Sequence, residues 1–178
     1  MNTPAVAIRR VRADDLPQIA AFAFTVSITE PLTEIGRLNE TFEATGLWQE
    51  ETGAMAMVEV TSGRLLGTLQ FYRSGPCIHG LELGYIIHDP SDRGHGYAAP
   101  AVATFADLLF EERPGVHRLQ LMIEVWNTAS WKLAERCGFV REGLVRSSGF
   151  GEADPGDSFL YARTRRDWRE QRQTKVGG

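Results

Sequence analysis

Residues 91–98 read Ser-Asp-Arg-Gly-His-Gly-Tyr-Ala, and this stretch indicates the fold more clearly than any other. It follows an apolar run at 81–87, Leu-Glu-Leu-Gly-Tyr-Ile-Ile, and precedes an amphipathic run at about 100–112. The order predicts a strand, a glycine turn and the start of a helix. Gly94 and Gly96 permit backbone conformations that other residues avoid, and the first N–H groups of a helix have no partner within it. Such a turn suits an anionic phosphate group.

The glycine pair is a weak signal by itself, because an ordinary turn before a buried helix uses the same residues. Size and composition narrow the possible kinds of protein. With 178 residues, 43% of them hydrophobic, we expect one domain over 1–178 with a full core. No apolar run approaches the roughly 18–20 residues of a membrane span, and the N-terminus lacks the apolar segment of a secretory signal. We therefore expect a cytoplasmic protein without a membrane partner.

The charge is unevenly distributed. The net charge is −4, but residues 163–175 carry a local +4, which leaves −8 on the remainder. An acidic body disfavours general binding of nucleic acid, because such binding rests on neutralising phosphates, and it suits a cationic small molecule or peptide. The basic tail, about residues 166–178, is expected to be either a solvated helix face or disordered. The scattered histidines and the two cysteines, Cys77 and Cys137, predict neither a disulfide scaffold nor a metal site.

The periodicity along the chain predicts an α/β protein with a mixed, mostly antiparallel sheet of about seven strands and helices on both faces. The predicted helices cover residues 14–24, 31–45, about 100–112 and 127–136, the third with Val102, Phe105, Ala106 and Leu109 on one face. The predicted strands cover residues 6–11, 54–60, 65–72, 81–88, 118–126, 139–147 and 157–165.

Three segments in this order resemble the GNAT superfamily of acetyl-CoA-dependent N-acetyltransferases. Residues 93–98, Arg-Gly-His-Gly-Tyr-Ala, are similar to its pyrophosphate loop. Residues 127–139 look like its Asn-x-x-Ser…Gly-Phe segment, and residues 161–168 look like the ending of the RimJ/RimL-type branch. That branch includes N-terminal acetylases of ribosomal proteins and many small-molecule acetylases. The resemblance covers nearly the whole chain.

The resemblance implies that acetyl-CoA is the co-substrate and lies in a gap where the fourth and fifth strands splay apart. The backbone of the fourth strand would pair with the pantetheine arm through Ile86, Ile87 and His88, with an N–H near Ile86 or Ile87 as the oxyanion donor. Asn127 and Ser130 would contact the cofactor arm, and Asn127 would also cap its helix. The amides that would hold the pyrophosphate belong to Arg93, Gly94, His95, Gly96, Tyr97 and Ala98. The Arg93 side chain has two readings, a phosphate contact or an exposed loop residue, and Tyr97 has a second reading as a packing residue.

The acid–base groups are less evident. Glu82, on the fourth strand, is the predicted general base, and the alternative is an ordinary polar residue on a sheet face. Strand alternation places Glu82, Gly84 and Ile86 opposite Leu81, Leu83 and Tyr85. Glu124 is a second candidate. Many members of the superfamily carry a tyrosine where this chain has Ala134, so the general acid stays unassigned, with Tyr97 and Tyr161 poor substitutes.

The predicted reaction is acetyl transfer to a primary amine by direct attack in a ternary complex. The acceptor is a protein or peptide N-terminus or a small amino metabolite. An α-amine with a pKa near 8 is about one-tenth neutral at pH 7, against roughly one part in a few thousand for lysine, and this favours a low-pKa amine. The acceptor pocket is expected to form from residues 27–53 and 147–157. Its candidate lining residues, which are otherwise simple packing residues, are Trp48, Trp126 and Phe150. The acids that would attract a cationic acceptor, or are otherwise merely solvated, are Glu152, Asp154 and Asp157.

Two rival functions stay open: an acyltransferase of the same fold that acts on an antibiotic or specialised metabolite, and a CoA-binding sensor without turnover. A homodimer through the last strands is also left open. Pro100 predicts one local departure, a helix that begins later than usual and a longer phosphate loop, because proline disfavours helical geometry at the preceding residue.

Overall fold

The computed structural model describes residues 5–22, 35–75, 77–148 and 156–176. Within these ranges seven strands form one sheet in the order β1-β2-β3-β4-β5-β7-β6. The β4–β5 pair is parallel, and the β1–β2, β2–β3, β5–β7 and β6–β7 pairs are antiparallel. This confirms the predicted mixed, mostly antiparallel sheet. The strands are β1 (Val6–Arg10), β2 (Thr52–Glu59), β3 (Leu65–Arg73), β4 (Leu81–Ile87), β5 (Arg118–Glu124), β6 (Val140–Val145) and β7 (Ser158–Thr164).

Five α-helices accompany the sheet in the described residues. None of them is both long enough and apolar enough to cross a bilayer. The chain divides into two compact units, Met1–Tyr72 with Leu83–Val102 and Arg73–Glu82 with Ala103–Gly178. The helices are α1 (Leu16–Ala21), α2 (Ile35–Thr45), α3 (Ala98–Glu112), α4 (Thr128–Arg136) and α5 (Arg165–Val176).

In the first unit, α1 and α2 pack on one face of β2. Alternate residues of β2, Ala54, Ala56 and Val58, join Ile19 of α1 and Leu38 of α2 in one buried cluster. The alternation arises because successive side chains of a strand point to opposite faces, and the two alanines leave space for the helices. This cluster covers the face of the sheet that also carries the buried polar residues discussed below.

The second unit buries the apolar stripe of α3 and the strand β5. Phe105, Ala106 and Leu109 are fully buried, as is Val102 in the first unit, which confirms the helical face predicted from their spacing. Leu119 and Leu121 of β5 are also buried.

The basic tail is helical, so the expectation of disorder is wrong for residues 165–176. A reciprocal cap explains where α5 begins: the N–H and Oγ1 of Thr164 donate to Oδ2 of Asp167, and the N–H of Asp167 donates back to Oγ1 of Thr164. The helix is also tied down, because buried Arg165 donates to the carbonyls of Arg113 and Val116. Trp168 adds a ring contact with Phe110, at 5.5 Å between centroids.

The predicted late start of α3 is also wrong. The helix begins at Ala98, so Pro100 occupies its first turn. A first-turn residue has no N–H partner within the helix, and proline therefore removes no hydrogen bond there. The loop before the helix is consequently not lengthened.

Candidate active site

The loop between β4 and α3 is exposed and depends on two left-handed glycines. Residues 93–96 are exposed, and Gly94 and Gly96 have φ of +80° and +85°. An added Cβ at either position would meet no described atom within 4 Å. The glycines are therefore required for backbone conformation and not for close packing. We call residues 93–97 the glycine loop.

Side chains on both sides of the glycine loop fix it to the β2–β3 hairpin. Arg64 makes a bidentate ion pair with Asp92, with N–O distances of 2.6 and 2.9 Å. Tyr97 donates to Glu59 at 3.1 Å. The hydrogen bond from Arg64 lowers the pKa of Asp92, so this carboxylate is ionised and neutralised by its partner. The loop is thus held in shape before any ligand binds, which reduces the ordering cost of binding.

Arg93 has a role that neither sequence interpretation included. Its Nε and Nη2 both donate to the carbonyl oxygen of Ile87, at 3.2 Å each. The guanidinium therefore ties the loop to the end of β4 and brings a positive charge to its base. The first turn of α3 contains no acidic residue, so nothing there offsets the positive end of the helix dipole. Both features favour an anion.

The end of β4 approaches β3 unusually closely. A Cβ on Gly67 of β3 would overlap the carbonyl oxygen of Ile86 and lie 3.0 Å from its carbonyl carbon. The Ile86–Ile87 peptide is trans, so the N–H of Ile87 points opposite to that oxygen and away from Gly67. The N–H of Ile87, one of the two predicted oxyanion donors, thus points away from β3.

The resemblance implies a backbone contact between His88 and the pantetheine arm, and in the structure the residue lies in the core. Its side chain is fully buried, and its ring stacks on Phe22 at 4.4 Å between centroids. Its N–H donates to the carbonyl of Leu66 at 2.9 Å. Burial lowers the pKa of His88 to about 4, so the ring is neutral. Gln18 and Thr68 lie 3.4 Å from its two ring nitrogens. The residue is part of the core because tertiary packing covers the strand end.

In the second unit, Glu82 belongs to a line of polar contacts. Gln120 donates to Oε2 of Glu82 at 2.9 Å, and Arg118 donates to Oε1 of Gln120 at 3.2 Å. Arg118 also pairs with Glu142. The β4–β5 register sets these contacts, because it aligns Leu81 with Leu119 and Glu82 with Gln120. The carboxylate of Glu82 is oriented by a defined donor, as a positioned base requires.

The burial of β4 follows the predicted alternation over residues 81–83, where Leu81 and Leu83 are buried and Glu82 is half-buried. Beyond them Gly84, Tyr85 and Ile86 are all half-buried, so burial does not separate the two faces there. Glu124, the second base candidate, is also half-buried and lies opposite Ser158 in the β5–β7 ladder.

Asn127 caps α4, as predicted. Its Oδ1 accepts a hydrogen bond from the N–H of Ser130 at 3.2 Å.

Neither Ala134 nor Tyr161 offers an accessible general acid. Ala134 is fully buried in α4. Tyr161 is also buried, and its hydroxyl donates a hydrogen bond to Glu135 at 3.1 Å. Burial is the larger cause of the raised pKa of Tyr161, and this hydrogen bond is the second cause. A buried phenol with a raised pKa is poorly suited to protonate a leaving group.

The predicted acceptor residues are only partly described. Trp48 packs on Phe71 and Arg10, with ring centroids 5.0 Å apart for the aromatic pair, whereas Trp126 is 72% exposed. Asp157 accepts a hydrogen bond from the N–H of Ser147. Phe150, Glu152, Asp154 and part of the 27–53 segment lie outside the described residues.

The predicted site residues divide between the two units. The first unit holds the end of β4, the glycine loop and the start of α3, that is Ile86, Ile87, His88, Arg93, Gly94, His95, Gly96, Tyr97 and Ala98. The second unit holds Glu82, Asn127 and Ser130. Sequence reasoning missed the supporting residues of the loop, Arg64, Asp92 and Glu59, and the close approach of Gly67 to Ile86. No local motif marks these residues, because their roles depend on contacts between distant segments.

The described part of the chain also contains potential metal ligands, a buried thiol and a cavity. No group of three His, Cys, Asp or Glu side chains there is arranged to hold a metal ion. Burial raises the pKa of Cys137 to about 11, so its thiolate is disfavoured as a nucleophile. A cavity of about 590 Å³ beside His117 and the start of α5 contains none of the predicted site residues.

Comparison with known proteins gives a consistent assignment. The family model described as the acetyltransferase (GNAT) domain matches residues 6–140. YoaA of Bacillus subtilis (strain 168), an uncharacterized N-acetyltransferase, is 24% identical over 171 residues, which are 91% of this chain and 94% of that protein.

Solved structures of the Vibrio cholerae spermidine/spermine N-acetyltransferase SpeG have the same fold. The manganese complex superposes with a TM-score of 0.76 at 19% identity, covering 93% of this chain and 96% of that one. A dodecameric structure of the same enzyme, in an intermediate state, gives 0.75 at 19% identity, with coverage of 93% and 97%. With the family model matching most of its length, this chain belongs to the GNAT acetyltransferase family and is an N-acetyltransferase.

Proposed function

We propose that the protein transfers the acetyl group of acetyl-CoA to the primary amine of a small molecule. The observation that carries this proposal is the glycine loop, an exposed turn at a helix N-terminus that Arg64, Arg93 and Tyr97 hold in place. Backbone N–H groups of residues 93–98 bind the pyrophosphate, and acetyl-CoA supplies the activated thioester. The open space over Gly94 and Gly96 fits the close approach of phosphate oxygens to the backbone.

The reaction needs three contributions from the chain. The amine nitrogen attacks the thioester carbonyl carbon, the C–S bond breaks, and the sulfur leaves with its electron pair and takes up a proton. The N–H of Ile87 donates to the carbonyl oxygen as negative charge develops there. Glu82 takes a proton from the acceptor amine, and Gln120 keeps its carboxylate in position. Asn127 and Ser130 contact the cofactor arm.

Direct attack of the amine in a ternary complex agrees with the properties of Cys137, which is poorly suited to act as a nucleophile. Cys137 is buried with a raised pKa, and no covalent acyl-enzyme is required. Solvent protonates the leaving thiolate, because Ala134 stands where many relatives carry a tyrosine. Membership of the RimJ/RimL-like branch is part of the proposal and rests on the sequence of residues 161–168.

The acceptor is proposed to be a small cationic amine, with a peptide N-terminus as the second candidate. Residues outside the basic segment 163–175 carry a net −8, which favours a cationic acceptor. SpeG, whose fold this chain shares, is named for spermidine and spermine. A peptide N-terminus is favoured instead by the lower pKa of an α-amine, because more of it is neutral at pH 7. Both classes of acceptor therefore belong in the test.

The test is release of free thiol from acetyl-CoA with a panel of spermidine, amino sugars, amino acids, short peptides and amine-bearing antibiotics, with products identified by mass. Turnover with a small amine is expected. Turnover with peptides alone would replace the acceptor class, and turnover only with an antibiotic would favour the rival enzyme. If acetyl-CoA raises the Tm but no panel member releases thiol, the result would contradict the proposed acceptor and favour the rival CoA-binding sensor.

We also propose a homodimer through β6. This strand ends the sheet, all six of its residues are exposed, and Val140 and Leu144 are 61% and 53% exposed. An apolar edge strand is a ready partner for a second strand. The dodecameric SpeG neighbour agrees with self-association. Light scattering should show a dimer that Leu144→Lys converts to monomer, and a monomeric wild type at high concentration would refute this.

A further inference from the structure

Two buried side-chain polar atoms have no hydrogen-bond partner in the described residues, Oε1 of Gln70 and Nε1 of Trp168, and the first of them lies on the central sheet. Gln70 of β3 is 1% exposed, and its carbonyl oxygen Oε1 has no hydrogen-bond partner in the part of the chain that the structure describes. Burying such a group unpaired costs free energy, and buried polar groups in native proteins are nearly always paired. An apolar side chain of similar size would avoid this cost. The orphan oxygen therefore needs an explanation.

The neighbours of Gln70 across the sheet are small. On one side it lies opposite Ala54 of β2. On the other side, the N–H of Ser74 donates to the carbonyl of Gly80 and the N–H of His88 donates to the carbonyl of Leu66. Both bonds belong to one antiparallel register, in which Gln70 lies opposite Gly84 of β4. A Cβ on Gly84 would meet no described atom within 4 Å, so the described residues leave space at Gly84, opposite Gln70.

This space lies on the same face of the sheet as the other buried polar residues. Thr68, two residues before Gln70, shares that face, and its hydroxyl lies 3.4 Å from Nε2 of His88. Gly84 and Ile86 on this face are half-buried, whereas Leu83 on the opposite face is buried. Thr68 and His88 thus contact each other, whereas Gly84, the residue opposite Gln70, is only half-buried.

We propose that Gln70 is a binding residue for the acceptor: its Oε1 accepts a hydrogen bond from the N–H of an aliphatic primary amine whose alkyl chain lies over Gly84. The inference rests on the proposed acetyl transfer and extends it to the acceptor subsite. A neutral carbonyl suits the reaction better than a carboxylate would. It accepts an N–H bond without the strong preference for the ammonium form that a nearby negative charge imposes, and only the neutral amine attacks.

The test compares Gln70→Met with Gln18→Met, a matched control on α1 whose amide already donates to the carbonyl of Leu65. Steady-state kinetics with spermidine, or with whichever amine of the panel is turned over, are combined with thermal unfolding and calorimetry of acetyl-CoA. For Gln70→Met we expect an amine KM raised roughly tenfold, an unchanged acetyl-CoA Kd and a Tm equal to or above that of the wild type. For Gln18→Met we expect an unchanged amine KM and a lower Tm.

Three other results would overturn the inference, and they differ in what they imply for the proposed function. An amine KM within twofold of wild type in an active Gln70→Met enzyme overturns the inference and leaves the proposed function intact. A Gln70→Met protein that unfolds at a lower temperature, or does not fold, also overturns it, because removing an unpaired group should not destabilise the fold. Absence of turnover by the wild type with every amine overturns the proposed function and this inference together.

Discussion

At the scale of single residues, Gly94 and Gly96 are the left-handed glycines that are predicted to face the pyrophosphate of bound acetyl-CoA. Gly94→Asp should weaken acetyl-CoA binding by more than about tenfold, because the substitution strains the backbone at φ +80° and brings a carboxylate to the predicted phosphate site. Gly46→Asp is the matched control, with φ +62° and no described atom within 4 Å of its Cβ position. Calorimetry on both variants tests this, and equal Kd values for the two would remove the phosphate site from the loop.

Glu82 carries the second prediction at this scale. Glu82→Gln should lower kcat by roughly 10²–10⁴-fold at pH 6.5, where the acceptor amine is mostly protonated, and by less at pH 9, where more of it is already neutral. Glu124→Gln, on the neighbouring strand, should change kcat little at either pH. The measurement is the pH profile of kcat for the three proteins. A loss that is the same at both pH values would remove Glu82 as the base.

At the scale of elements, local signals predicted much of what the structure contains. The helical spacing of Phe105, Ala106 and Leu109 predicted the buried face of α3, and Asn127 predicted the start of α4. Of the two expectations for the basic tail, a helix face and disorder, the structure agrees with the helix, and the capping-box spacing of Thr164 and Asp167 is a local signal for its start. The Arg93–Ile87 contact and the burial of His88 were not predictable, since both depend on how distant segments pack.

The close approach of β3 and β4 gives a prediction about these two strands. Gly67→Ala should lower kcat by about tenfold or more, because its Cβ displaces the Ile86–Ile87 peptide and turns the Ile87 N–H away from the thioester oxygen. We expect some loss of stability, about 1–3 kcal/mol, from overpacking. The diagnostic result is a fall in kcat that exceeds any change in the acetyl-CoA Kd. Gly143→Ala on β6, where a Cβ meets no described atom, should leave both unchanged. An active Gly67→Ala enzyme with normal kcat would show that the peptide orientation does not matter.

At the scale of the whole molecule, the buried neutral His88 links folding to pH. Its pKa is about 4 in the folded chain, because burial disfavours the imidazolium, against about 6.5 when unfolded. Between these values the unfolded chain binds the extra proton, so the free energy of unfolding falls as the pH decreases from 6.5 to 4 and is unaffected above about 7. The full difference corresponds to roughly 3 kcal/mol. His88→Phe keeps a ring against Phe22 and removes the titration, so its unfolding free energy should be nearly flat over this range until carboxylates such as Asp15 begin to titrate. Urea unfolding of both proteins at pH 7.5, 6.5, 5.5 and 4.5 measures this, and parallel curves would mean that a group other than His88 controls acid stability.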